Sequence, residues 1–161
     1  MKKKLVLGLG SNIGNRYAYL LEAIHRLGEA TQEDLHVAKI YETPPWGDTK
    51  QSRFLNTAVY LETSLSIQET FQLIKEIETL GNRLKTRKWG PRSIDIDILF
   101  YGEEIVETEF LTVPHKYLHK RAFVLAPLVD ILPDFKHPIT GLTMSKHLDQ
   151  MDLSELSIFA G

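Results

Sequence analysis

Trp89-Gly90-Pro91-Arg92-Ser93-Ile94-Asp95-Ile96-Asp97-Ile98-Leu99-Phe100-Tyr101 opens as a rigid turn and continues as an apolar strand with two aspartates set into it. Side chains alternate faces along a strand, so Asp95 and Asp97 share one face while Ile94, Ile96 and Ile98 share the other. The isoleucine face demands a core to cover it. Aspartate is poorly suited to strands, and two of them one pleat apart repel each other. The pattern makes chemical sense when a cation lies between them. Carboxylates at i and i+2 stand about 7 Å apart at the backbone, within reach of one or two hard metal ions. Taken alone, Asp-x-Asp also reads as a solvated edge strand, blunted by charge against aggregation. The balance is tipped just upstream, where residues 82–94 carry Arg83, Lys85, Arg87, Lys88 and Arg92 and no acidic residue. Cations suited to phosphate beside carboxylates suited to magnesium suggest phosphoryl transfer from a nucleotide.

Outward from this strand the elements follow from periodicity and punctuation. Residues 4–9 read as a short apolar strand running into a turn at Gly10-Ser11-Asn12-Ile13-Gly14-Asn15. A helix follows, with Leu20, Ala23, Ile24 and Leu27 at helical spacing and Gly28 as its stop. Residues 36–42 alternate as a second strand and end at Pro44-Pro45, and residues 55–62 form a third. Ser66 with Glu69 is a capping box for a second helix, whose buried face is read as Phe71, Ile74, Ile77 and Leu80, with Gly81 at its end. The aspartate strand is the fourth. Beyond it, residues 120–132 have helix-compatible spacing broken by Pro127, Pro138-Ile139-Thr140-Gly141 reads as a turn, and residues 153–159 as an edge strand or a helix. The order strand, helix, strand, strand, helix, strand predicts an α+β, ferredoxin-like βαββαβ core. Its sheet is mostly antiparallel with helices packed on one side, plus C-terminal additions, in one domain spanning residues 1–161.

Composition narrows the class. With 43% hydrophobic and 25% charged residues the chain reads as an ordinary globular protein. A formal net charge of -2 argues against a protein whose main business is nucleic acid, because affinity for a polyanion rests on a basic surface. The chain has no cysteine, which excludes disulfides and thiolate metal sites. Its longest apolar run, residues 122–129, is too short to span a membrane. The start Met1-Lys2-Lys3-Lys4 looks like a signal n-region, but the apolar stretch after it fades at Ser11-Asn12 without a cleavage site. A cytoplasmic monomer acting on small molecules is expected, with no nucleic-acid or membrane partner.

Three further constellations bear on chemistry. Gly8-x-Gly10-x-x-x-Gly14 is one residue too long for a dinucleotide fingerprint and reads as a structural turn opening the first helix, with Asn12 or Asn15 as cap. Phe54 and Asn56 share a strand face, where an aromatic beside an amide suits a flat heterocycle, and Phe123 is a second aromatic able to close the sandwich. Core packing is the competing explanation for each phenylalanine. Thr112, His115, Lys116 and Arg121 form a polar cluster in which the guanidinium forks of Arg121 and Arg92 match phosphate oxygens best.

Gly10-Ser11-Asn12, Thr43-Pro44-Pro45, Phe54-Leu55-Asn56, the Trp89–Leu99 block, Val113-Pro114-His115 and Arg121-x-Phe123 occur in that order. Together they resemble the 6-hydroxymethyl-7,8-dihydropterin pyrophosphokinase family over about residues 5 to 135. The resemblance implies transfer of the β,γ-pyrophosphate of ATP to the pterin hydroxymethyl group, releasing AMP, in folate biosynthesis. It implies that Asp95 and Asp97 hold two Mg2+ and that Arg92 and Arg83 act with them in catalysis. It implies ATP contacts from Lys85, Trp89, Arg92, Ile98, Thr112, His115, Lys116 and Arg121. The pterin pocket it implies comprises Thr43, Pro44, Trp46, Phe54, Asn56, Asp95 and Phe123. The basic loop departs from the family's usual pattern: Asn82 follows Gly81 where relatives commonly carry arginine, leaving Arg83 and Lys85 as the expected phosphate contacts. Phe110 and Lys116 stand where relatives often carry arginine and an aromatic. Two rival readings follow from the residues alone: a magnesium kinase moving only the γ-phosphate to another small alcohol, and a non-catalytic RNA-binding module of ferredoxin-like fold.

Overall fold

A computed structural model describes residues 1–44, 53–82 and 93–160. In chain order the elements are β1 (Lys3–Ser11), α1 (Arg16–Thr31), β2 (His36–Val37), β3 (Tyr41–Thr43), β4 (Phe54–Thr63) and α2 (Ile67–Asn82). There follow β5 (Asp95–Tyr101), β6 (Val106–Glu107), β7 (Thr112–Val113), a 3-10 turn at Leu118–Lys120, α3 (Ala122–Ile131), α4 (Met144–Asp149) and β8 (Ser157–Ile158). The main sheet runs β5-β1-β4-β3-β8, with β2 also on β4, and every pairing is antiparallel. This is the βαββαβ order, with the second strand split into β2 and β3. Register explains the split. Val37 faces Val59 and Tyr41 faces Asn56, so three residues on one side, 38–40, oppose two on the other, a bulge. The Thr57 hydroxyl donates to the carbonyls of Ala38 and Lys39 and holds the bulge in place.

The sheet is covered on both faces rather than one. Leu5, Leu7 and Leu9 of β1, with Ile96 and Ile98 of β5, face α1 and α2 through Leu20, Leu27, Ile74 and Ile77. Val6, Ala58, Leu99 and Phe100 face the opposite way, onto Leu125 and Leu128 of α3 and Met144 of α4. The switch at Leu99 and Phe100 is a bulge: β1 and β5 slip register between Val6 and Leu7, so consecutive β5 residues turn to the same side. The helix-compatible stretch at residues 120–132 does form a helix, and the break suggested at Pro127 does not occur. α3 continues through Pro127, which forgoes only the N–H that Phe123's carbonyl would accept. Tyr41 donates its hydroxyl to Asp130 and fastens α3 to the sheet, and burial together with that carboxylate pushes the phenol up to about 12.

Helix ends also differ from expectation. α1 passes Gly28 and stops at Gln32, whose left-handed backbone (φ 54°) sends its N–H to the Gly28 carbonyl. Asn15 is the cap at the other end, accepting from the Ala18 N–H. The Ser66–Glu69 box forms as read, with each side chain accepting from the other's backbone N–H, and the Ser66 N–H holds the Glu69 carboxyl below its usual range. On α2, Leu80, read as part of the buried face, is exposed, while Glu78 is buried with Thr70, Ile74 and Ile77. Gly81 is inside the last turn, and its role is close approach: a Cβ there would lie 2.5 Å from Ile94 Cγ2. Alanine ordinarily favours a helix over glycine by about 1 kcal/mol. Here Ile94 is stiff and fully buried, so Gly81→Ala is expected to lower stability by about 1–3 kcal/mol despite that propensity gain. Thermal melting of the variant checks the sign.

Candidate active site

α3 and the 3-10 turn cover only part of the second face of the sheet. At the uncovered end, Gly8 and Gly10 of β1 form the floor of a cavity whose walls include Thr43, Phe54, Asn56, Asp95 and Phe123. Both positions are crowded: a Cβ on Gly10 would stand 3.0 Å from Asn56 Oδ1, and one on Gly8 would stand 3.3 Å from Leu99. They are therefore strand glycines on the floor of the cavity, not the start of the helix turn, and β1 runs on to Ser11. Two glycines at i and i+2 in a strand are the sequence signal for such a floor. Asn56 donates to the Thr43 hydroxyl at 3.4 Å, which orients its amide at the rim.

A second cavity opens beyond the outer edge of β5. It is lined by Phe71 and Lys75 of α2, by Ile98, and by Thr112, Lys116 and Tyr117. Asp97, His115 and Arg121 line both cavities and so mark the seam between them. β5 delivers Asp97 with its carboxylate exposed, and the half-buried Asp95 two residues earlier faces the first cavity. The cis Val113–Pro114 bond is followed by His115, whose backbone N–H donates to the Leu99 carbonyl at 3.2 Å. Arg121 precedes α3, and its guanidinium lies 5.5 Å from the Tyr117 ring and 5.9 Å from the Phe123 ring, spanning from one cavity to the other.

Among the described residues no group of three or more His, Asp or Glu side chains is arranged to hold a metal by itself. Two carboxylates on one strand face, opening onto a seam lined by His115 and Arg121, are a hard oxygen donor set with few protein ligands. That suits Mg2+, which keeps several positions for water and phosphate oxygens. Trp46, Arg83, Lys85, Trp89 and Arg92 lie outside the described residues. Pro44 is described but is not part of the cavity wall. Gly8, Gly10, Lys75 and Tyr117 line the cavities and were not anticipated. The α2 residues Phe71, Ile74 and Lys75 carry no local signal for this role, because only the packing of α2 beside β5 brings them there.

The chain matches the family model for 7,8-dihydro-6-hydroxymethylpterin-pyrophosphokinase over residues 6–133. It belongs to this family. Pyrophosphokinases of the same kind include the 2-amino-4-hydroxy-6-hydroxymethyldihydropteridine pyrophosphokinase of Aquifex aeolicus, 45% identical over 133 residues, 83% of this chain and 82% of the relative. The enzyme of that name from Bacillus subtilis is 45% identical over 136 residues, 84% of this chain and 81% of its own. A crystal structure of HPPK-DHPS from Plasmodium falciparum shares the fold, with TM-score 0.70 at 18% identity over 93% of this chain and 43% of that longer one. Membership in the pyrophosphokinase family favours pyrophosphoryl transfer over a γ-phosphate kinase and over an RNA-binding module. No helix among the described residues is long and apolar enough to cross a membrane.

Proposed function

We propose that in this pyrophosphokinase of folate biosynthesis the two cavities take the two substrates and that the reaction crosses their shared seam. The first takes 6-hydroxymethyl-7,8-dihydropterin, with its ring between Phe54 and Phe123 and its polar edge at Asn56 and Thr43; Trp46 adds to that pocket. The second takes ATP, with Thr112, Lys116 and Ile98 toward the nucleoside and His115 and Arg121 toward the phosphates. Arg83, Lys85, Trp89 and Arg92 act on the same triphosphate. Asp95 and Asp97 hold two Mg2+, which supply neutralisation of phosphate charge. The observation that carries this reading is the sharing of Asp97, His115 and Arg121 by both cavities.

In the reaction the pterin hydroxymethyl oxygen forms a bond to the β-phosphorus of ATP. The bond from that phosphorus to the α,β-bridging oxygen breaks, the oxygen leaves on AMP, and the hydroxyl proton is lost to solvent. No side chain forms a covalent intermediate. Arg121 and His115 counter the charge that spreads over the moving group, and stacking holds the nucleophile in line. The reading takes the chain as a cytoplasmic monomer serving two small molecules. Incubation with ATP, Mg2+ and the pterin is expected to release AMP, dependent on pterin; release of ADP would overturn the reading.

A further inference from the structure

β5 is an edge strand, yet its outer edge is not left to solvent where the aspartates stand. In the antiparallel ladder with β1, alternate residues turn their backbone groups toward the partner and away from it. Ile94 and Ile96 turn theirs outward. Among the described residues no strand follows on that side, and two side chains of α2 take its place. Asn82 accepts from the Ser93 and Ile94 N–H groups at 2.6 and 3.3 Å and donates to the Ile94 carbonyl at 2.9 Å. Glu78, one helical turn earlier and only 7% exposed, accepts from the Ile96 N–H at 2.9 Å. Ile96 is the residue between Asp95 and Asp97. The other oxygen of Glu78 accepts from Lys75 at 3.3 Å, and Lys75 lines the second cavity. The Gly81–Ile94 approach fixes the helix at the distance these bonds require.

A buried carboxylate is costly unless its oxygens are hydrogen-bonded, and an apolar side chain would have filled the same stripe of α2. What the carboxylate adds is a fixed height and twist for the outer edge of β5 at the peptide that joins the two aspartates. We propose that Glu78, supported by Asn82, is a positioning residue for the aspartate pair: it holds the backbone at Ile96 so that Asp95 and Asp97 present their carboxylates together to divalent cations. This inference rests on the reading that these aspartates hold Mg2+.

The test compares Glu78→Leu, Glu78→Gln and Asn82→Ala with Asp97→Ala in the full chain. Three quantities are measured for each: the Mg2+ concentration giving half-maximal turnover, pterin binding by fluorescence without Mg2+, and the melting temperature. Residues that orient metal ligands typically change metal affinity about 10- to 100-fold when replaced, so Glu78→Leu is expected to raise the Mg2+ requirement about tenfold or more. Pterin binding, which Glu78 does not touch, is expected to hold. Glu78→Gln keeps an acceptor oxygen for the Ile96 N–H and is expected to recover most of that Mg2+ affinity. A Glu78→Leu protein with the original Mg2+ requirement overturns the proposal, as does a Glu78→Gln protein no better than Glu78→Leu. Should Glu78→Leu not fold, Asn82→Ala decides, and an unchanged Mg2+ requirement there overturns it. Asp97→Ala separates the two levels. If that variant leaves the Mg2+ requirement unchanged, the metal reading itself fails; if it shifts while the Glu78 and Asn82 variants do not, only this inference fails.

Discussion

Asp97→Ala is expected to reduce Mg2+-dependent turnover by about 10³-fold while leaving the fold and pterin binding intact, because removing one preorganised electrostatic contact to a reacting phosphoryl group has effects of that order. The separation of effects follows from placement. Asp97 is exposed on the site face of β5, while the residues that anchor this strand to the core, Ile96 and Ile98, point the other way. Truncation therefore removes no buried apolar contact, and its stability effect is expected to be that of a surface change, within about 0.5 kcal/mol. The aromatic walls of the first cavity, Phe54 and Phe123, are untouched. Steady-state turnover across a Mg2+ series, with pterin fluorescence titration alongside, reads both parts. Near-normal turnover at ordinary Mg2+ would refute the metal assignment.

Acid lability is the second large effect, and it arises from side chains outside the lining of the two cavities. His119 of the 3-10 turn, His137 and His147 of α4 form a triangle of rings with centroids 5.6, 5.6 and 5.9 Å apart, against the edge of Phe100. His137 and His147 are almost wholly buried, and the buried Nδ1 of His119 has no hydrogen-bond partner among the described residues. His137 Nδ1 accepts from the Ile139 and Thr140 N–H groups, and the Thr140 hydroxyl is 2.7 Å from His147 Nε2. Burial, then the neighbouring rings of His119 and His147, pushes His137 down from 6.5 to about 4, and burial lowers His147 as well. Protonation at His137 Nδ1 would also turn an acceptor of two backbone bonds into a donor.

The sign follows from linkage. Between its unfolded value near 6.5 and its folded value near 4, His137 binds more proton in the unfolded chain than in the folded one. Stability is whole above about pH 6.5, falls as the pH drops toward 4, and levels off below it. The loss from this one group is on the order of 3 kcal/mol, with His147 adding in the same direction. Melting temperatures from pH 7.5 to 4.5 are expected to drop more steeply in the original chain than in His137→Asn. Parallel curves for the two proteins would show that the cluster does not carry the effect.

Much of the core was legible because the signals that define it are local. The alternation of Ile94, Ile96 and Ile98 with Asp95 and Asp97, the Ser66–Glu69 box and the helical spacing of Leu20, Ala23 and Leu27 each span a turn or a pleat, and each formed as read. The order of elements then restricted the topology to a few arrangements, of which βαββαβ was one. The errors fall where a distant contact outweighs the local signal. Gly28 reads as a stop, but Gln32 accepts the left-handed backbone and closes the helix a turn later. Pro127 reads as a break, yet Leu125 and Leu128 are fully buried and hold the helix through it. Leu80 reads as core and is exposed, while Glu78, which carries no apolar signal, is buried, because among the described residues the edge of β5 has no strand beside it here and its Ile96 N–H needs an acceptor.

The sequence by itself determined the family, the strand that carries the paired carboxylates and the chemistry those carboxylates suit, since residue type and spacing alone express these. The tertiary structure alone decided that Gly8 and Gly10 floor a cavity, that Lys75 borders the second, and that Glu78 braces the peptide between the aspartates. Those facts depend on how closely separate elements approach, a distance set by packing around the whole sheet and encoded in no single stretch of the chain.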